Sequence, residues 1–145
     1  MIRRTIYLDK YDWLADIYFD YKCKYSDDLI DKLESMGISE ERLDIAYADL
    51  NSCKDNIGLT YSSFIEKKTI IVIGEATSAK EFMKTFTHEI GHLSTHICQY
   101  YYIDVYGEEI HYIDQDIIEE TWDIIREYLC DFCNDKNSKN EKQRF

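Results

Sequence analysis

The sequence predicts an α+β domain: N-terminal helices, a small antiparallel β-hairpin, a helix carrying His88-Glu89-Ile90-Gly91-His92, and a long C-terminal helix. Three observations point there. Apolar residues before position 50 and after position 78 recur at three- and four-residue steps, the helical period. Between those stretches, Ile57 to Ile73 is rich in β-branched and aromatic residues. The chain also has no proline, so nothing of that kind interrupts a long helix. Its 145 residues suit one domain, since domains cluster near roughly 100–150 residues. Positions 1–133 read as that domain. Positions 134–145 are polar and aperiodic, which predicts a flexible tail.

Arg3 to Leu8 alternates weakly and reads as a short strand. From Asp9 the spacing of Trp13, Leu14, Ile17, Tyr18 and Tyr21 predicts a helix. Ser26-Asp27-Asp28 offers an N-cap and an acidic first turn to a helix carrying Leu29, Ile30, Leu33 and Met36, which Gly37 ends. Ser39 opens another helix, with Glu40 and Glu41 near its positive end and Leu43, Ala46, Tyr47 and Leu50 on one face. Ile57–Ile65 and Thr69–Ile73, separated by the polar Glu66-Lys67-Lys68, predict a hairpin. Ser78-Ala79-Lys80-Glu81 is a capping box, starting a helix with Phe82, Met83, Phe86, Ile90, Leu93 and Ile97 on its apolar face. Gly107 breaks the chain before a last helix built on Ile110, Ile113, Ile117, Ile124 and Leu129.

Composition excludes several classes of function. With 29 acidic and 17 basic side chains the formal net charge is −12, the wrong sign for neutralising phosphates, so no nucleic-acid partner is expected. A hydrophobic content of 45% is too high for a generally disordered chain. No apolar run is long enough to cross a membrane, so no membrane partner is expected. Met1 to Lys10 has two arginines but no apolar stretch of the length a secretory signal needs, which predicts a cytoplasmic protein. Five irregularly spaced cysteines fit reduced thiols, and Cys130-Asp131-Phe132-Cys133 lacks the second pair a zinc ribbon requires.

One motif carries chemistry. His88-Glu89-Ile90-Gly91-His92 is H-E-x-x-H, and it falls inside the helix that the capping box begins. Residues four apart stack on one helix face, so the two imidazoles can grip one ion while Glu89 lies beside them. A catalytic zinc takes three protein ligands and keeps one position open, lowering the pKa of its water to about 7. Glu89 is then placed to act as general base. Downstream carboxylates are too many for charge alone to choose the third ligand: Asp104, Glu108, Glu109, Asp114, Asp116, Glu119, Glu120 and Asp123. His96 continues the histidine stripe, but one straight helix cannot wrap three consecutive turns around a tetrahedral ion. Thr95 stands where the metzincin pattern needs glycine. Gly91, at a cost of about 1 kcal/mol in a helix interior, suggests that something packs closely against it.

Thr87–Leu93, followed by Gly107-Glu108-Glu109-Ile110-His111-Tyr112-Ile113-Asp114-Gln115, resembles the gluzincin-type zinc metallopeptidase domains. It is similar in particular to the small H-E-x-x-H proteins of bacterial prophages and mobile elements, over roughly residues 57–118. The resemblance implies zinc as cofactor, with Glu108 joining His88 and His92 as third ligand and Glu109 or the Glu119–Glu120 pair as competing ligands. It implies a catalytic role for Tyr112, near the metal or at the oxyanion. His111 stands where the family has alanine and is free for a polar role, as a donor to the transition state. In zincins an edge strand runs beside the cleft and pairs with the substrate, and Thr69–Ile73 is the strand expected to do so. The expected activity is zinc-dependent hydrolysis of a peptide or protein substrate. The alternative is a catalytically silent relative whose acidic surface binds a basic partner.

Overall fold

A computed structural model describes the backbone of residues 1–140 and the side chains of residues 1–129. Among the described residues the architecture is α+β, with a four-stranded mixed sheet and four α-helices. The strands are β1 (Ile2–Leu8), β2 (Trp13–Tyr21), β3 (Gly58–Ser63) and β4 (Lys68–Gly74). The helices are α1 (Ser26–Ser35), α2 (Glu40–Leu50), α3 (Ala79–Tyr101) and α4 (Glu109–Asn140). The sheet order is β1-β2-β4-β3. β1 and β2 pair antiparallel, β2 and β4 parallel, and β4 and β3 antiparallel.

Both faces of the sheet are covered. On one side Trp13, Ala15, Ile17, Phe19, Ile71 and Ile73 meet Phe82, Phe86, Ile90, Leu93 and Ile97 of α3 and Ile113, Ile117, Ile124 and Ile125 of α4. On the other, Tyr18, Tyr21, Leu59, Ile70 and Val72 meet Leu29 and Leu33 of α1 and Ala46 and Leu50 of α2. Each fully buried Leu, Ile or Phe is worth about 1.5–3 kcal/mol, so this three-layer arrangement dominates the stability. The sheet and α4 then fix the position of the motif helix, α3.

The stretch from Asp9, read from its spacing as a helix, is instead a 3-10 turn (Asp9–Tyr11) and the strand β2. A strand buried on both faces loses its period-2 signature, because neither set of alternate residues is polar. A bulge also shifts the phase. Asp20 adopts φ +56° and the β2–β4 register slips between Tyr18 and Tyr21, which turns Tyr21 to the same side as Tyr18. Its hydroxyl donates to Leu50 O at 2.8 Å. The N-terminal region is thus a β-hairpin followed by two helices, not helices from the start.

Other local readings fare differently. Gly37 ends α1 at φ +80°, with its N–H bonded to Glu34 O and that of Ile38 to Leu33 O. Ser39 caps α2, and Ser78 caps α3 by accepting from Glu81 N at 3.1 Å. Ser26 does not cap. A 3-10 turn, Cys23–Tyr25, runs straight into α1, so Ser26 is already helical and its hydroxyl donates to Asn51 Oδ1. α4 continues through 134–140, part of the segment expected as a tail; 141–145 lie outside the described residues.

Cys23 and Cys53 form a disulfide with Cα atoms 5.1 Å apart, which overturns the expectation of reduced thiols for that pair. Closing a loop of 30 residues typically adds about 2–4 kcal/mol. It ties the start of α1 to the connection between α2 and β3. Cys98 is free and buried, and the side chains of Cys130 and Cys133 lie outside those described. No described helix is long and apolar enough to cross a membrane.

Candidate active site

The motif lies in the middle of α3, held by its capped start and by a left-handed residue, Tyr102, at its end. His88 and His92, one turn apart, are both exposed, and their Nε2 atoms stand 3.1 Å apart. Their rings are edge to face, with centroids at 4.8 Å. Glu89 points differently. It is only 5% exposed and turns toward β3.

β3, not β4, is the edge strand beside the motif. β4 has β2 on one side and β3 on the other, so Thr69–Ile73 lies inside the sheet, as its continuous apolar run fits. Alternate residues of β3 project toward α3: Gly58, Thr60 and Ser62. The Thr60 hydroxyl donates to Glu89 Oε2 and lies 3.3 Å from Glu89 O. Gly58 lets the backbone pass close to Glu89, since a Cβ there would sit 2.7 Å from Glu89 Oε1 and 2.7 Å from Thr85 Cγ2. Ser62 Oγ lies 2.7 Å from His96 Nδ1 and 2.7 Å from Thr69 Oγ1. A groove runs over this junction, lined by Arg42, Ile45, Gly58, Leu59, Thr60, Tyr61, His88, Glu89, His92 and His96. It continues past His88 toward Asn56, Glu81 and Lys84.

The groove's electrostatics follow from burial. Removal from water pushes the His96 imidazole below its usual pKa, and the nearby His92 and Arg42 add to the shift. The Tyr61 phenol is pushed up chiefly by burial, opposed by the Arg42 guanidinium. That guanidinium lies over the Tyr61 ring at 5.0 Å from its centroid. The close packing expected against Gly91 is not found, because a Cβ there would meet nothing within 4 Å among the described residues.

The structure brings together His88, Glu89 and His92 and leaves the other expected site residues elsewhere. Glu108, His111 and Tyr112 are exposed at the start of α4, and none of them lines the groove. Among the competing ligands, Glu109 accepts from Tyr11 Oη at 2.8 Å and from Lys10 Nζ at 3.1 Å. Glu119 and Glu120 line a separate depression with Asp116 and the segment Tyr7–Tyr11. Among the described residues no three His, Cys, Asp or Glu side chains come together as a metal-binding group. The histidine pair therefore suits zinc in kind and spacing, and the arrangement falls one donor short of the three a catalytic zinc takes.

Thr60 and Arg42, which line the groove, and Ser62, which meets His96, were passed over by motif reading; His96, set aside there as a metal ligand, lines the groove too. Gly58, Thr60 and Ser62 alternate with Leu59 and Tyr61, and that small-polar stripe on a strand next to the motif helix was the available signal. Arg42 had none, because it reaches the groove from α2, far away in sequence. Comparisons of the chain with family models, with curated proteins and with solved structures returned no match.

Proposed function

We propose that the chain is a metal-dependent hydrolase of peptide bonds acting in the groove between α3 and β3. The observation that carries this reading is the pairing of His88 and His92 Nε2 at 3.1 Å beside a buried Glu89 that opens on a groove under a free strand edge. A zinc ion held by the pair would polarise the scissile carbonyl and acidify a water. The chain's own residues do the rest. Glu89, held by Thr60, receives the proton of the attacking water and passes it to the leaving amine. The outer edge of β3 offers main-chain N–H and C=O groups to an extended substrate. His88 and His92, exposed at the groove one turn apart, would hold the ion beside Glu89.

Metal analysis of protein purified without added zinc tests the site. Wild-type protein is expected to retain close to one equivalent, and His92→Ala to lose it while keeping its fold. Equal metal content in the two proteins rules the proposal out. Glu89→Gln is expected to keep the metal and lose cleavage of a generic protein substrate such as labelled casein.

A second reading is favoured by the missing third donor among the described residues. Here the groove binds a partner without catalysis, and the net charge of −12 selects a basic one. Partner binding that survives both His92→Ala and Glu89→Gln is the outcome that favours it.

A further inference from the structure

A line of four hydrogen-bonding side chains crosses the sheet and ends in the groove. Trp13 Nε1–H donates to Thr69 Oγ1 at 2.9 Å; Thr69 Oγ1 meets Ser62 Oγ at 2.7 Å; Ser62 Oγ meets His96 Nδ1 at 2.7 Å. Two of the four, Trp13 and Thr69, are 0% exposed. The indole can only donate, so Thr69 accepts from it. The Thr69 hydroxyl proton has one described acceptor, Ser62 Oγ. If Ser62 donated to Thr69 instead, that proton would be buried without a partner, which native structures avoid. Thr69 therefore donates to Ser62. Ser62, accepting there, keeps its own proton to give, and His96 Nδ1 is its one acceptor among the described residues.

With Ser62 donating, the line selects one state of His96. An Nδ1 that accepts carries no proton, so the ring is neutral and its proton is on Nε2. Nε2 lies on the far side of the ring from Ser62 and has no hydrogen-bond partner among the described residues. The ring itself lines the groove with His88, Glu89 and His92, with its centroid 6.3 Å from that of His92. The same state removes His96 from the possible metal ligands. A ligating imidazole binds through an unprotonated nitrogen and donates from the other, the reverse of this arrangement.

We propose that His96 is a catalytic residue of the groove: a neutral imidazole, held as the Nε2–H tautomer by Trp13, Thr69 and Ser62, that donates to the carbonyl oxygen of the bound peptide as negative charge develops there. The role rests on the hydrolase reading above. Trp13, Thr69 and Ser62 are positioning residues, acting only through the histidine. A preorganised neutral donor suits the task, because it stabilises the oxyanion without surrendering its proton to it. Glu89, on the same helix, remains the only group that moves a proton.

Two measurements on the full chain test this. Two-bond 1H–15N correlation at pH 7, assigned with His96→Gln, is expected to show His96 with an unprotonated Nδ1 and a protonated Nε2. Ser62→Ala is expected to convert it to a mixture of tautomers. A doubly protonated ring or an Nδ1–H tautomer in the wild type overturns the proposal. In casein cleavage, His96→Ala is expected to lower kcat about 100-fold, the size of effect seen on removing one oxyanion donor, with KM and metal content nearly unchanged. His96→Gln, which keeps an N–H, is expected to recover part of that loss. Loss of metal in His96→Ala would make the residue a ligand and overturn the proposal. Cleavage that needs Glu89 but is not slowed by His96→Ala overturns the role of His96 and leaves the hydrolase reading standing. Absence of any Glu89-dependent cleavage removes the hydrolase reading, and the catalytic role with it.

Discussion

Two carboxylates are buried in this molecule to nearly the same degree, Asp16 at 1% and Glu89 at 5% exposure, and their surroundings are opposites. Asp16, in the central strand β2, receives the Thr5 hydroxyl, the Arg3 guanidinium at 2.9 Å and the Lys68 ammonium at 3.6 Å. Burial alone would push its pKa up, but the Thr5 and Arg3 hydrogen bonds and the two cations outweigh it and hold the group below the ordinary aspartate range. Glu89 receives one hydroxyl, from Thr60, and no cation within ion-pair distance among the described residues. Its compensation is instead the groove it opens on. A carboxylate surrounded by cations is a poor base and a good anchor. Glu89 keeps spare acceptor capacity beside two imidazoles, the arrangement that the proposed hydrolase reading uses.

The largest separation between the two is expected from removing the charge of each. Glu89→Gln should abolish casein cleavage by about 100- to 10,000-fold, the range for losing a general base, with little change in the urea midpoint. Asp16→Asn should do the opposite, keeping cleavage per folded molecule and lowering stability by about 1.5–3 kcal/mol, as expected for a hydrogen bond to a charged group. Similar stability losses in both variants would erase the distinction between anchor and base.

Acid titration sharpens the same contrast. The folded pKa of Asp16 lies below its unfolded value, so the unfolded chain binds the proton more readily in that window. The stability Asp16 contributes is therefore fully present above the unfolded aspartate value, near 3.9, and is lost as pH falls through the folded one. Asp16→Asn should flatten the fall of the urea midpoint below about pH 4. A curve with the wild-type slope in that variant would mean that Asp16 is not the group being protonated.

How much of this contrast was readable in advance differs between the two carboxylates. Glu89 announced itself, because H-E-x-x-H, the Ser78 cap and the apolar stripe from Phe82 to Ile97 are all local features of one helix. The hairpin and α2 were legible for the same reason. Asp16 was hidden inside a stretch read as helix, since β2 is covered on both faces and shifted at Asp20. Its partners Arg3 and Lys68 come from the strands on either side, and no local pattern records which strands are neighbours. The same limit applies to the site. Ser62 and Thr60 reach α3 only because β3 occupies the sheet edge, and the expected α4 residues faced elsewhere because α4 packs along β1, where Arg4 bonds Asp123 at 2.6 Å.

Glycine substitutions carry the comparison to smaller effects. Gly58→Ala inserts a methyl 2.7 Å from Glu89 Oε1 and from Thr85 Cγ2. The Thr85 methyl belongs to a short side chain on α3, so the carboxylate is the atom that must yield, and it is held by Thr60. Overpacking of this kind costs about 1–3 kcal/mol, and on the proposed hydrolase reading the displaced carboxylate should lower kcat about tenfold or more at unchanged metal content. Unaltered kcat in this variant would show that Glu89 does not need its cradle.

Gly91→Ala is the matching control on the other side of the motif, and the smallest effect of the set. The residue is inside α3 and carries no positive φ, and an added Cβ meets nothing within 4 Å. Alanine there removes the helix penalty of glycine without a clash, so stability should rise by about 0.5–1 kcal/mol. His88 and His92 already stand on an exposed face, and the methyl touches neither, so metal content and kcat should be unchanged. A loss of cleavage or metal in Gly91→Ala would mean that a substrate or a further donor approaches α3 on that side. The tight contacts at Gly58 would then describe only half of the wall around Glu89.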